Sequence, residues 1–137
     1  MANPSIDILV ADDDEEDLEL IETAITDVEP AADLHKVTNG KAVLEYLDNQ
    51  PDDKLPCLII LDYNMPELNG SEVLALIYKE ERYGNIPKVI LSTSGAPMHV
   101  NDCISKGASE YFIKPNNMGD FVKLAKRMLD HCNTNRS

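Results

Sequence analysis

Acidic, hydroxyl and lysine side chains follow four apolar segments of the chain, and together these groups could bind and transfer phosphate. Asp12 and Asp13 follow the first segment and Asp62 follows another. Ser92 and Lys114 follow the last two. Clustered carboxylates repel one another unless a cation neutralises them, and carboxylate oxygens suit the hard cation Mg²⁺. The residue types therefore predict a magnesium-dependent site at which an aspartate is phosphorylated.

In this interpretation Asp62 is the phosphoryl acceptor. Lys114 supplies a positive charge for one phosphoryl oxygen, and Ser92 offers a hydroxyl hydrogen bond to another. Taken alone, each group has a simpler explanation. The acidic run from Asp12 to Asp17 is typical of a solvated helix start, with Asp14 as the cap. The coincidence of these groups at the ends of several strands favours the phosphorylation site.

Five apolar segments alternate with five helical patterns, which predicts the elements that hold these residues. The predicted strands cover residues 6–11, 34–38, 57–61, 89–91 and 111–113, and the predicted helices cover 14–28, 41–47, 73–77, 100–104 and 121–129. Such alternation predicts a doubly wound α/β fold with a five-stranded parallel sheet and helices on both faces. Ligands bind at the carboxyl ends of the strands in these folds, which is where the candidate residues lie.

Size and charge limit the classes of function. The chain has 137 residues, enough for one domain. Its net charge is -13, from 25 acidic and 12 basic residues, which disfavours direct binding of nucleic acid. Residues 1–5 do not begin a secretion signal, and the sequence has no apolar stretch of membrane-spanning length. We expect a cytoplasmic protein without membrane insertion.

The three cysteines are odd in number and widely spaced: Cys57, Cys103 and Cys132. This pattern predicts neither a disulfide framework nor a zinc site, but reduced structural thiols. The three histidines are scattered along the chain and are expected to be ordinary packing or surface residues.

The ordered motifs resemble the receiver domain of two-component response regulators, of the CheY-like type. They are Asp12-Asp13, LDYNMPELNG from Leu61, IPKVILSTS from Ile86, and YFIKP from Tyr111. The resemblance extends from about residue 6 to 129. It implies a flavodoxin-like (βα)5 fold, and a phosphoryl group that passes to Asp62 from the phosphohistidine of a sensor histidine kinase or histidine phosphotransfer protein.

The resemblance also assigns roles around the acceptor. It implies that Asp13 and Asp62 ligate Mg²⁺ directly, that Asp12 acts mainly through a bound water, and that Asn64 offers its backbone carbonyl. Lys114 would pair with the phosphoryl oxygen, and with Asp62 before phosphorylation.

Further roles implied by the resemblance concern switching and phosphoryl lifetime. Ser92 and Tyr111 match the hydroxyl and the aromatic residue that report phosphorylation. Asn64 and Ser94 flank the route of attacking water. Thr93 occupies a position where the family usually has a small residue, so we expect it to narrow access to the phosphoryl group.

The bond between Lys114 and Pro115 is expected to be cis by the same resemblance. The segment from Asp48 to Pro56 is long for the family, but it precedes the third strand and lies away from the chemistry. After Lys114 the sequence has room for only one helix, so we expect a single receiver domain over residues 1–137, without an output domain. Its output would then pass through contacts with an unknown target protein.

Three other functions compete with this interpretation. A phosphatase or phosphotransferase of the haloacid dehalogenase type also uses a nucleophilic aspartate and Mg²⁺, but its nucleophile follows the first strand. Its general acid lies two residues later, where this chain has Asn64. A flavodoxin-like FMN carrier is disfavoured because the acidic run would repel the FMN phosphate. A receiver-like scaffold that is never phosphorylated is disfavoured by the complete set of site residues.

Overall fold

The computed structural model describes the backbone of residues 6–136 and the side chains of residues 6–132. The described residues form five strands and five α-helices in alternation, as the sequence predicts. The strands are β1 Ile6–Ala11, β2 Ala32–Val37, β3 Leu58–Leu61, β4 Lys88–Ser92 and β5 Glu110–Ile113. The helices are α1 Glu15–Val28, α2 Gly40–Asp48, α3 Gly70–Tyr78, α4 Pro97–Ser105 and α5 Met118–Arg136. Within this part of the chain, no helix is both long enough and apolar enough to span a membrane.

The five strands form one parallel sheet in the order β2-β1-β3-β4-β5. The order reverses between β1 and β3, which makes this pair the topological switch point of the sheet. Backbone hydrogen bonds continue the ladder past the strand ends: Asp62 N donates to Ala11 O at 2.9 Å, and Lys114 N donates to Ser92 O at 2.8 Å. The residues that follow the strands are therefore aligned along one edge.

Both faces of the sheet are covered, so alternate side chains of each central strand enter two different cores. In β1, Ile8 and Val10 pack on the side of α1 and α5, and Leu9 and Ala11 pack on the side of α2, α3 and α4. All four residues of β3 are buried. Truncation of such an aliphatic side chain to alanine typically costs about 2–5 kcal/mol. A strand packed on both faces holds the next residue, Asp62, in a fixed place.

Side-chain caps determine where the helices near this edge begin. Asp14 accepts hydrogen bonds from the backbone N–H groups of Glu16 and Asp17, which confirms its predicted role as the cap of α1. Asn69 and Glu72 form a reciprocal capping box, so α3 begins at Gly70, earlier than the apolar spacing predicts. Capping by the Asn117 side chain likewise starts α5 before its predicted first residue.

The prediction of three reduced cysteines is wrong for two of them, because Cys57 and Cys132 form a disulfide. Their Cα atoms lie 5.0 Å apart although the residues are 75 positions apart in the sequence. Only the packing of the end of α5 beside the start of β3 brings them together. Cys103 is a buried free thiol, as predicted, and burial raises its pKa to about 11.

Candidate functional site

Polar side chains are buried at the carboxyl edge of the sheet. Of the five buried polar or charged residues in the described part of the chain, three lie here: Asp12, Asp62 and Ser92. Asp12 is 1% exposed and Asp62 is 6% exposed. Burial of a carboxylate is costly unless the group is paired or hydrogen-bonded. Apolar packing alone does not account for these residues.

Three carboxylates meet at the switch point, as the sequence predicts. Asp12, Asp13 and Asp62 each offer an oxygen, and these atoms all lie within 4.8 Å of one another. Asp12 Oδ2 is buried and lies in ion-pair contact with a lysine. An oxygen-only donor set of three clustered carboxylates fits a hard cation such as Mg²⁺ better than zinc or copper.

The Lys114 side chain enters this cluster and is only 8% exposed. Its Nζ lies 2.7 Å from Asp12 Oδ2, 2.8 Å from Asp17 Oδ2 and 3.5 Å from Asp62 Oδ2. Burial alone would lower the pKa of Lys114, but hydrogen bonds with Asp12 and Asp17 and the charges of Asp12 and Asp62 outweigh it and raise the pKa. Lys114 is therefore an ammonium. Its predicted contact with Asp62 is present, as the longest of the three.

The environment of Asp62 raises its pKa to about 6. Burial is the largest cause and the charge of Asp12 adds to it, while Lys114 and the N–H of Asn64 act in the opposite direction. Burial also raises the pKa of Asp12, against the hydrogen bond with Lys114. Both carboxylates are thus ionised at a cost near neutral pH, and a bound divalent cation would reduce that cost.

The loop between β3 and α3 packs against Asp62. Asn64 N donates to Asp62 Oδ1 at 3.4 Å, and Gly70 N donates to Tyr63 O at 2.8 Å. A Cβ atom built on Gly70 would lie 2.6 Å from Asp62 O, so only glycine allows this approach. Asn64 is exposed, and metal binding by its carbonyl stays a prediction.

A chain of contacts links the β4–α4 loop to aromatic residues on both sides. Ser92 Oγ accepts a hydrogen bond from Ser94 N at 3.2 Å, and Tyr111 Oη donates to Ser94 O at 2.5 Å. Ser94 Oγ and His99 Nδ1 are 2.7 Å apart, and the His99 ring stacks on Tyr63 at 4.2 Å. The aromatic residue of β5 and the residue after Asp62 therefore contact the same loop.

Two expectations derived from the resemblance meet different outcomes. The bond between Lys114 and Pro115 is trans, so the predicted cis bond is wrong. The trans form is the intrinsically favoured isomer of an X–Pro bond, by about 0.5–1 kcal/mol. Thr93 follows Ser92 with an exposed side chain, and its influence on access stays a prediction.

Sequence reasoning missed the contact made by Asp17, which was expected to be a solvated residue of the first helical turn. Its side chain is 24% exposed and bonds to Lys114. Asp17 lies four residues before the buried Ile21, so the helical period places it on the face of α1 that turns toward the sheet. The spacing from Asp17 to Ile21 was therefore the sequence signal that Asp17 lies on this face of α1.

Comparisons with known proteins agree with this fold. Two-component response regulator ORR5 of Oryza sativa subsp. japonica is 36% identical over 93 residues, which cover 68% of this chain and 67% of that protein. Two-component response regulator ARR8 of Arabidopsis thaliana is 29% identical over 137 residues, covering 89% of this chain and 60% of that protein. The chain thus spans about two thirds of the length of these relatives.

Solved structures match almost the whole chain. The phosphorylated cyanobacterial phytochrome response regulator RcpA aligns with a TM-score of 0.83 and 26% identity, over 93% of each chain. The Mn²⁺-bound form of response regulator Rcp1 aligns with a TM-score of 0.77 and 28% identity, over 90% of this chain and 91% of that one.

The family described as the response regulator receiver domain matches residues 8–126, which include every residue of the carboxylate cluster. The (βα)5 topology, the acidic pair after β1, the aspartate after β3 and the lysine after β5 agree with this match. The chain therefore belongs to the receiver domains of two-component response regulators.

Proposed function

We propose that Asp62 accepts a phosphoryl group and that its phosphorylation changes which protein the domain binds. The donor is a phosphohistidine on a sensor histidine kinase or a histidine phosphotransfer protein. The observation that carries the proposal is the environment of the Asp62 side chain. This buried carboxylate has a raised pKa, lies within 4.8 Å of two other carboxylates and is 3.5 Å from a buried ammonium.

Phosphoryl transfer needs little covalent chemistry from the protein beyond the nucleophile. An oxygen of Asp62 forms a bond to phosphorus while the P–N bond of the phosphohistidine breaks, and the imidazole leaves with the bonding electron pair. Lys114 stabilises the negative charge of the phosphoryl oxygens, and the Ser92 hydroxyl is available as a neutral donor. Asn64, Thr93 and Ser94 influence how readily water reaches the phosphoryl group.

Mg²⁺ is the proposed cofactor. Asp13 and Asp62 would hold it directly, with Asp12 acting mainly through a water and Asn64 through its backbone carbonyl. When bound, the ion neutralises the carboxylates and the developing phosphoryl charge. The clustered oxygens and the burial of Asp12 and Asp62 support this assignment.

The proposed output is a protein contact made through the face formed by α4, β5 and α5. Four apolar side chains are exposed on these elements: Met98, Ile104, Ile113 and Met118. Ser92 and Tyr111 are the proposed switch residues, because both contact Ser94 in the loop that leads into α4. We propose that the receiver domain is the unit that is phosphorylated, and that this takes place in the cytoplasm, where kinases form phosphohistidine from ATP.

Labelling with acetyl phosphate and Mg²⁺, followed by mass spectrometry, tests the assignment of the acceptor. We expect one phosphoryl group per chain in the wild type and none in Asp62→Asn. Asp53→Asn is the matched control, because it makes the same change of charge at an exposed residue outside the site. Undiminished labelling of Asp62→Asn would refute the acceptor.

Chelation and turnover test the remaining parts of the proposal. Excess EDTA should abolish labelling, and labelling that persists would contradict a metal-dependent site. The domain should modify only itself. Steady release of phosphate from many equivalents of a phosphate monoester would support the haloacid dehalogenase alternative instead.

A further inference from the structure

We propose that Asp17 is a positioning residue of the phosphorylation site. It holds the Lys114 ammonium on the α1 side of the cluster and so preserves space for the phosphoryl group between Lys114 and Asp62. This inference rests on the proposed function of Asp62. Asp17 itself is not expected to touch the phosphoryl group.

The distances show where the ammonium is held. Lys114 Nζ lies 2.8 Å from Asp17 Oδ2 and 2.7 Å from Asp12 Oδ2, but 3.5 Å from Asp62 Oδ2. An ammonium has three N–H donors, and here its two short contacts are with Asp12 and Asp17 rather than with Asp62. The third contact is at the limit of hydrogen-bond distance.

Asp17 can hold the ammonium in place because the first turn of α1 is capped and packed against the core. Its backbone N–H donates to the Asp14 side chain at 3.4 Å, within the cap of the helix. The next residue, Leu18, is buried, and so is Ile21 one turn later. The Asp17 carboxylate therefore extends from a packed helix, whereas a solvated side chain would be free to reorient.

The arrangement has a consequence for the transfer step. Without the Asp17 charge, the ammonium is attracted only by Asp12 and Asp62, and it approaches the acceptor oxygen. That oxygen then becomes less available to attack phosphorus, and the lysine must move before a phosphoryl group fits. Preorganised charge loses much of its effect when it is misplaced by about 1 Å, with rate losses of up to about 10²-fold.

Initial rates of labelling by acetyl phosphate and Mg²⁺ test this role. We expect Asp17→Asn to label about tenfold more slowly than the wild type, within the range for a misplaced charged group. Asp17→Glu, which restores the carboxylate, should recover most of the rate. Glu16→Gln is the control, because it removes one charge from the adjacent exposed residue, and its rate should stay within about twofold of the wild type. Equal rates for Asp17→Asn and the wild type, or equal losses in Asp17→Asn and Glu16→Gln, would overturn the proposal.

A double-mutant cycle in urea unfolding needs no phosphoryl donor, so it separates this inference from the proposed function. Asp17→Asn should change the unfolding equilibrium constant by about fivefold more in the wild-type background than in Lys114→Met, as expected of contacting charged residues. Equal effects in both backgrounds would show that the pair is uncoupled and would overturn the role of Asp17. A wild-type protein that shows this coupling but never labels would instead contradict the phosphoacceptor function.

Discussion

Two buried lysines lie at opposite edges of the same sheet, in opposite electrostatic environments. Lys88 begins β4 at the amino edge, is 9% exposed and donates to Tyr83 O at 2.8 Å. Burial lowers its pKa. Lys114 follows β5 at the carboxyl edge and its side chain is 8% exposed, but hydrogen bonds with Asp12 and Asp17 raise its pKa. The difference comes from the local charge, because burial acts on both pKa values in the same direction.

The polar groups around the two lysines also differ between the amino and carboxyl edges of the sheet. At the amino edge, Glu110 accepts from Arg127 at 2.6 Å and from His131 at 2.7 Å, beside a groove of about 660 Å³. At the carboxyl edge, three clustered carboxylates and Asp17 surround the ammonium of Lys114. At the amino edge, one carboxylate therefore has two basic partners. At the carboxyl edge, several carboxylates share one ammonium, where a cation and a phosphoryl group are proposed to bind.

The largest expected effect comes from replacing the two lysines by methionine, one at a time. Lys114→Met should reduce the rate of labelling by acetyl phosphate by about 10²–10³-fold, because it removes the charge that stabilises the phosphoryl oxygens. Lys88→Met should leave that rate unchanged, since Lys88 contacts none of the site residues. Labelling is measured by mass spectrometry on variants whose folding is verified by circular dichroism. Similar losses in both variants would remove the distinction between the edges.

The disulfide gives the next largest effect, on stability alone. Cys132→Ser opens a link between residues 75 positions apart, which in the chain-entropy account lowers the free energy of unfolding by about 4 kcal/mol. Labelling of Asp62 should not change, because the disulfide joins β3 to α5 near the amino edge. Urea unfolding with and without a reductant measures the effect. If the reductant did not change the free energy of unfolding of the wild type, the prediction would be wrong.

The order of elements and the carboxyl-edge residues could be predicted because both depend on local patterns. Apolar runs identify the strands, and in a parallel sheet the residue after each run must lie at one edge. The disulfide and the contact of Asp17 with Lys114 could not be predicted in the same way, because each joins residues far apart in the sequence. Spacing alone does not determine which surfaces of α1, α5 and the sheet meet.

Smaller errors in the predicted element ends have local physical causes. Helix starts moved where a side-chain cap lies ahead of the apolar residues, as with Asn69 before α3 and Asn117 before α5. The edge strand β2 was predicted at residues 34–38, but its pairing with β1 begins at Ala32. The first residue of β2 is set by its pairing with β1, and the apolar pattern of β2 alone carries no information about that pairing.

The stability of the metal-free protein should depend on pH through Asp62. Its pKa is about 6 in the folded state and 3.8 in the reference state, so the folded protein binds the proton more tightly. The contribution of Asp62 to stability is therefore greatest below pH 3.8 and is lost as the pH rises through about 6. A shift of this size corresponds to about 3 kcal/mol.

Urea unfolding between pH 4 and 7, in EDTA, measures this dependence as the difference between the wild type and Asp62→Asn, which cannot titrate at this position. Asp53→Asn is the control for the change of charge, because it makes the same substitution at an exposed residue outside the carboxylate cluster. If the free energies of unfolding of the wild type and Asp62→Asn changed in parallel with pH, the surroundings of Asp62 would not raise its pKa.

The smallest expected effect concerns an exposed residue at the functional edge. Thr93 follows the buried Ser92 but is itself exposed, so it should influence only the approach of water to the phosphoryl group. Thr93→Ala should speed loss of the phosphoryl group by about threefold, a change in barrier of about 0.6 kcal/mol. The decay is followed by mass spectrometry after the donor is removed. Ser109→Ala, at an exposed residue before β5, should have no effect, because it lies at the amino edge. If the rate of phosphoryl loss in Thr93→Ala changed by as large a factor as the labelling rate in Lys114→Met, the prediction would be wrong. Contact with the carboxylate cluster would then not determine how strongly a residue affects the chemistry.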